Sequence, residues 1–132
     1  IVVLPTYIKG HELTSYYKMF MNSSVKKVIS HNPNVTDMSQ MFSRFQGSSL
    51  DLTHFDTSSV INMYQMFNAS KIAVYDLSSF DVSKVENFND MFKVNTSTQG
   101  LATTGYARTK SDADSLNSSL NKSSTLNFVV KQ

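Results

Sequence analysis

The 132-residue chain has no cysteine and no tryptophan, only 2 prolines and 4 glycines, and just 17% charged residues. Without cysteine there is no disulfide framework, no thiol nucleophile and no thiolate metal site. Apolar runs stop at four residues, as in Ile1 to Leu4, far below the roughly 20 residues of a membrane helix and without the basic start and small-residue cleavage site of a secretion signal. No membrane insertion is expected. Basic residues outnumber acidic ones by only 12 to 10, and the largest basic cluster is the Lys26, Lys27 pair. That leaves nothing to hold a phosphate backbone, so no nucleic-acid partner is expected.

What is present is 40% hydrophobic residues, enough for one domain over residues 1–132. Ser, Thr and Asn make up about a third of the chain, so its surface is hydrophilic through hydroxyls and amides more than through charge. This composition favours a secreted or wall-exposed setting. The chain opens at Ile1 without an initiator Met, which suggests a piece of a longer protein whose targeting signals lie elsewhere.

Internal repetition organises the rest. Met-Phe occurs at Met19-Phe20, Met41-Phe42, Met66-Phe67 and Met91-Phe92, at spacings of 22, 25 and 25 residues. Around the last three copies the register also holds for Val35, Val60 and Val85 and for Met38, Met63 and Phe88. Six of the seven methionines fall on repeat positions, which favours a packed core over an exposed methionine groove. The apolar slots recur at i, i+3, i+6 and i+7, the stripe of a short amphipathic helix, and Leu13, Tyr16, Met19 and Phe20 fill them in the first copy. Ser83 with Glu86 has capping-box spacing, and Ser58 is its counterpart one repeat earlier.

Ahead of each such segment comes a period-2 element, Leu50-Asp51-Leu52-Thr53-His54-Phe55-Asp56 and Tyr75-Asp76-Leu77-Ser78-Ser79-Phe80-Asp81. It reads as a very short strand with Leu50, Leu52, Tyr75 and Leu77 inward. The predicted fold is therefore α/β, a leucine-rich-repeat-like solenoid of short parallel strands and short helices, with a helical hairpin array as the other possibility. Residues 1–94 make about four repeats, and residues 95–132 a degenerate repeat and C-terminal cap. In that cap Ala102 takes the Leu77 slot, a capped helix covers Ser111 to Leu116, and a closing strand covers Thr125 to Val130. Ile1 to Leu4 is a first strand or the remnant of a preceding element.

The segments Val35-Thr36-Asp37-Met38-Ser39-Gln40-Met41-Phe42 and Leu50 through Phe67 resemble the BspA-like bacterial surface-protein repeat, the unit of about 25 residues found in surface proteins of Listeria and lactic acid bacteria. The similarity spans about residues 11 to 92, and Gly105 to Asp114 resembles the segment that ends such arrays. The resemblance implies a non-catalytic binding or adhesion module of a larger cell-surface protein, wall-anchored or a lipoprotein. Its partner would be a host-cell, mucin or matrix protein or a polysaccharide. No cofactor and no metal is implied.

The residues themselves give the candidate ligand face. Asp51 and Asp76 stand one above the other on the outward side of the strands, with Thr53 and Ser78 beside them and His54 and Ser79 next in line. A polar row of this kind suits hydrogen bonding to carbohydrate or protein, and it is also what any solvated strand face needs. Asp56 and Asp81 recur at the strand exit, as turn formers or as calcium ligands between repeats. His11, His31 and His54 occupy different slots and make no metal or triad motif, so no enzyme is expected. A spacer that displays another domain, with no ligand of its own, is the second reading. Six Asn-x-Ser/Thr sequons, at Asn22, Asn34, Asn68, Asn95, Asn117 and Asn121, follow from the composition.

Overall fold

A computed structural model describes residues 1–94, 102–121 and 124–131. Its regular elements are β1 (Val2–Val3), β2 (Tyr7–Ile8), β3 (His11–Glu12), β4 (Val28–Ile29), β5 (Val74–Leu77), β6 (Thr104–Ala107), α1 (Lys110–Ser118) and β7 (Asn127–Val130). The fold is thus mixed, with short strands and one helix among the described residues. Pairing is parallel for β1 with β4 and for the β5, β6, β7 sheet. Among the described residues only the β2–β3 hairpin, turned at Lys9 and Gly10 with positive φ, is antiparallel. Single parallel bridges join Lys27 to Asp51 and Ser30 to Phe55. Ile1 to Leu4 does contribute a first strand, β1.

The Met-Phe segments are not helices. In residues 37–44 the chain makes successive tight turns, with Met41, Ser43 and Phe45 N–H groups donating to the carbonyls of Met38, Gln40 and Phe42, each at 3.2 Å. Gln40 and Arg44 sit in the left-handed region at φ 55° and 56°. The alternate amides leave the segment: those of Met38, Gln40, Phe42 and Arg44 donate to the carbonyls of Asn62, Tyr64, Met66 and Asn68 at 3.0, 2.9, 2.9 and 2.7 Å. Residues 62–69 bond in the same way to residues 87–93, and residues 15–22 to residues 37–43. The Ser58 and Ser83 positions are turn residues and cap no helix.

The helical spacing arises because a chain that reverses every three to four residues returns its side chains to one face at nearly the period of a helix. Packing decides between the two. Adjacent helix axes lie about 8–10 Å apart, whereas hydrogen-bonded strands lie about 4.8 Å apart. The rings of Phe20, Phe42, Phe67 and Phe92 stack with centroids 5.6, 5.6 and 5.7 Å apart and planes within 12°, so the repeats must approach at strand spacing.

Inside the turns, Met38, Met41, Met63, Met66 and Met91 are fully buried. A second aromatic line runs from Tyr16 to Phe55 to Phe80, and the Tyr16 hydroxyl meets Ser30 Oγ at 2.7 Å. Leu52, Tyr75 and Leu77 point inward as expected, with Leu50 partly buried. Met19 keeps its slot but, unlike the other methionines of that column, is 41% exposed.

The cap holds with one shift of register. Leu77 pairs with Ala107, not with Ala102, and Tyr75 pairs with Gly105. Gly105 belongs there because a Cβ would lie 2.4 Å from the Phe128 ring on the next strand, leaving no room for any larger residue. Helix α1 spans Lys110–Ser118, beginning one residue earlier than expected: Thr109 caps it, its Oγ1 accepting the Asp112 N–H at 3.1 Å. Residues 95–101, with the Gly100-Leu101 part of the expected degenerate repeat and the Asn95 sequon, lie outside the described residues.

The left-handed turns make a prediction with a sign. In a helix, Arg44→Gly would cost about 1 kcal/mol and Arg44→Ala would be neutral or better. At φ 56° on an exposed turn the order reverses, and Arg44→Gly should stabilise by about 1 kcal/mol over Arg44→Ala because glycine has no Cβ to clash there. Urea denaturation of the two variants reads the difference directly.

Candidate binding face

The repeated Asp-x-Ser/Thr element forms a turn closed by its own side chains. Asp51 Oδ1 accepts the Thr53 N–H at 2.9 Å and the Thr53 hydroxyl at 2.7 Å. Asp76 does the same with Ser78 at 3.1 and 2.6 Å, Asp56 with Ser58 at 2.8 and 2.6 Å, and Asp81 with Ser83 at 3.0 and 2.6 Å. Asp37, Asn62 and Asn87 accept the N–H two residues on in the same manner. The recurrence of Asp at these positions therefore has a local cause: a short acceptor side chain fixes each turn. Among the described residues no group of three or more His, Asp and Glu side chains is placed to hold a metal ion.

Basic residues take up the remaining carboxylate oxygens of the predicted pair. Lys27 lies 3.7 Å from Asp51 Oδ2, and Lys131 donates to Asp76 Oδ2 at 2.6 Å while lying 5.6 Å from the Tyr106 ring centroid. Hydrogen bonds from the Thr53 hydroxyl and amide, followed by the Lys27 charge, hold the Asp51 carboxyl below its ordinary range. Burial pushes Asp76 up, but hydrogen bonds from Lys131 and Ser78 outweigh it and the carboxyl ends lower. Asp81 is lowered by Ser83 and then by Arg108, which donates to it at 3.2 Å and to Asp112 of α1 at 2.9 Å. Tyr75 goes the other way: burial pushes its hydroxyl up to about 12, against the hydrogen bond it shares with Ser70.

Of the six residues of the predicted face, the structure gathers three. Thr53, His54 and Ser79 line a shallow, open hollow of about 290 Å³, joined by His31, Asp56 and Asp81. Ser79 also ties its turn to the preceding repeat, its hydroxyl donating to the Leu52 carbonyl at 2.6 Å. Asp51, Asp76 and Ser78 are not part of that lining. His31 was not legible as a site residue, because it precedes a different part of its own repeat. The pairing of Ser30 with Phe55, and the Ser30 N–H donating to the His54 carbonyl at 2.9 Å, bring the two imidazole-bearing stretches side by side.

Two of the sequons are occupied structurally. Asn68 is buried, and the Asn117 side chain bonds both the N–H and the carbonyl of Phe128. No described helix is long and apolar enough to cross a membrane.

A chain of repeated turns joined by parallel backbone pairing, with its polar recurrences set by the turns, defines a repeat protein. The chain belongs to the family described as "Mycoplasma protein of unknown function, DUF285", whose model matches residues 12–128. Comparison with the curated proteins and with the solved structures found no match.

The lowered carboxyls fix a pH dependence. A carboxyl whose folded pKa lies below its unfolded value stabilises the fold above the unfolded value, near pH 3.9, and loses that contribution as pH falls through the folded value. Asp→Asn at 51, 76 and 81 keeps the turn acceptor, as Asn62 and Asn87 do, but removes the charge. The triple variant should melt about 3 °C below wild type at neutral pH, a small shift because solvent screens these partly exposed pairs. The gap should close toward pH 2 to 3 in a series of thermal melts.

Proposed function

We propose that the chain is a non-catalytic binding module of a bacterial cell-surface protein, a solenoid of the BspA-like type that recognises a host or matrix protein or glycan. The observation that carries this reading is the hollow lined by Thr53, His54, Ser79, His31, Asp56 and Asp81. It is open and shallow, it draws on successive repeats, and it presents the two exposed imidazoles beside hydroxyl and carboxylate groups that the turns hold in place. Such a surface suits an extended hydrophilic ligand better than a small enclosed substrate. The resemblance to surface-protein repeats supports the extracellular setting, and the match to a family of unknown function is compatible with it.

The spacer reading draws on a different observation. Asp51 and Asp76, the most prominent outward pair, are tied to Lys27 and Lys131 and so are withdrawn from any ligand. Continuous backbone bonding from repeat to repeat also suits a stiff stalk.

Binding data separate the two. The purified chain is tested on a glycan array and on immobilised mucin and matrix proteins at physiological salt, beside His31→Ala with His54→Ala. Both histidines are exposed, so the double variant should keep the wild-type melting temperature and lose at least tenfold in affinity, equivalent to about 1.4 kcal/mol. Saturable binding that is indifferent to both substitutions would remove the hollow from the proposal, and silence across the panel would favour the spacer.

A further inference from the structure

The two ends of the stack of repeats are built differently. At the C-terminal end the outermost strand is β7, and the Asn117 side chain takes the outward N–H of Phe128 at 2.8 Å and its carbonyl at 3.0 Å. This closes the edge as a neighbouring strand would. The Phe128 ring lies 5.2 Å from that of Phe92 and ends the phenylalanine column.

At the other end the first turn segment, residues 15–22, has an open face. The bridges Ser15 to Asp37, Asp37 to Asn62 and Asn62 to Asn87 fix the register of the four segments. In that register the carbonyls of Ser15, Tyr17, Met19 and Met21 correspond to those of Asp37, Ser39, Met41 and Ser43. The latter four each accept an N–H from the preceding segment, whereas the former four accept none among the described residues. Met19 is 41% exposed, while Met41, Met66 and Met91 in the same slot are at 0%. Tyr17, 52% exposed, and Met21 stand where the next segment has Ser39 and Ser43. A terminal repeat that meets water carries a polar outer face, and this one carries the reverse. Beside it, β1 with Val2 paired to Val28 stands where a preceding turn segment would lead, as residues 62–69 lead into β5.

We infer that this face is an interface for one further turn segment of the same repeat, leading directly into β1. Its alternate N–H groups donate to the four free carbonyls, and its Met-Phe pair covers Met19 and Phe20. The interface is continuous with the one the other segments make with each other. A second copy of this chain fits badly: its own open face is the same row of acceptors, and although the Phe88, Asp90 and Phe92 N–H groups of its last turn segment have no acceptor among the described residues, Ser119, Leu120 and Asn121 flank that segment.

The test extends the full chain with a copy of residues 56–75 placed ahead of Ile1. The extended chain should melt roughly 5 °C or more above the parent, and peroxide oxidation of Met19, followed by peptide mass spectrometry, should slow severalfold. The same extension with the copied Met66 and Phe67 replaced by Asp should do neither. Unchanged melting and unchanged Met19 oxidation in the first chain would overturn the inference. Independently of any extension, Tyr17→Ser with Met19→Ser and Met21→Ser should leave the parent's melting temperature within about 2 °C, and a large loss would show that the chain itself already covers these side chains. Sedimentation should find the parent monomeric with Met19 reactive; a concentration-dependent dimer that protects Met19 would overturn the inference in favour of a second copy.

Discussion

The fold depends on one constraint, the bonding of every second amide in a turn segment to a carbonyl of the next repeat. Four such bonds join residues 15–22 to 37–43, four join 38–44 to 62–68, and four join 63–69 to 87–93. They set the repeats at strand spacing, and the remaining amides close turns within their own segment. Because the alternate amides of the first three segments find acceptors only on the neighbour, a repeat gains those bonds only when the next one is in place. Stability in such an array is shared between neighbours and is not held by any unit alone.

Other features of the core follow from that spacing. Phenylalanines one repeat apart fall into offset stacks 5.6 to 5.7 Å between centroids, and Gln40 Nε2 reaches Gln65 Oε1 at 2.6 Å by the same translation. The price is local backbone strain: Lys18, Gln40, Gln65 and Asp90 in one column, and Asn22, Arg44 and Ala69 in another, hold positive φ without being glycine. The bonds across the stack over-determine these conformations.

The polar side chains divide by the same logic. Asp and Asn at the start of each turn accept the N–H two residues on, so their recurrence marks geometry and not chemistry. Groups that close no turn, such as the His31 and His54 imidazoles, are left for solvent or a ligand. The hollow they share exists only because the offset between repeats sets Ser30 against Phe55.

The sequence by itself determined the repeat, its period, most of its inward residues and the cap helix with its closing strand, because each of these is a local pattern of apolar and capping residues. It also placed Thr53, His54 and Ser79 on one outward face. Only the tertiary structure decided that the Met-Phe segments are turns and not helices. Both conformations bury positions 38, 41, 42 and 45, and the difference lies in where the alternate amides find acceptors, one repeat away. It likewise decided that Ala107 and not Ala102 faces Leu77, since the Phe128 ring demands a residue without a Cβ at Gly105. It assigned Asp51 and Asp76 to turns and ion pairs, whose partner Lys131 lies 55 residues from Asp76, a separation that no local reading of the chain spans.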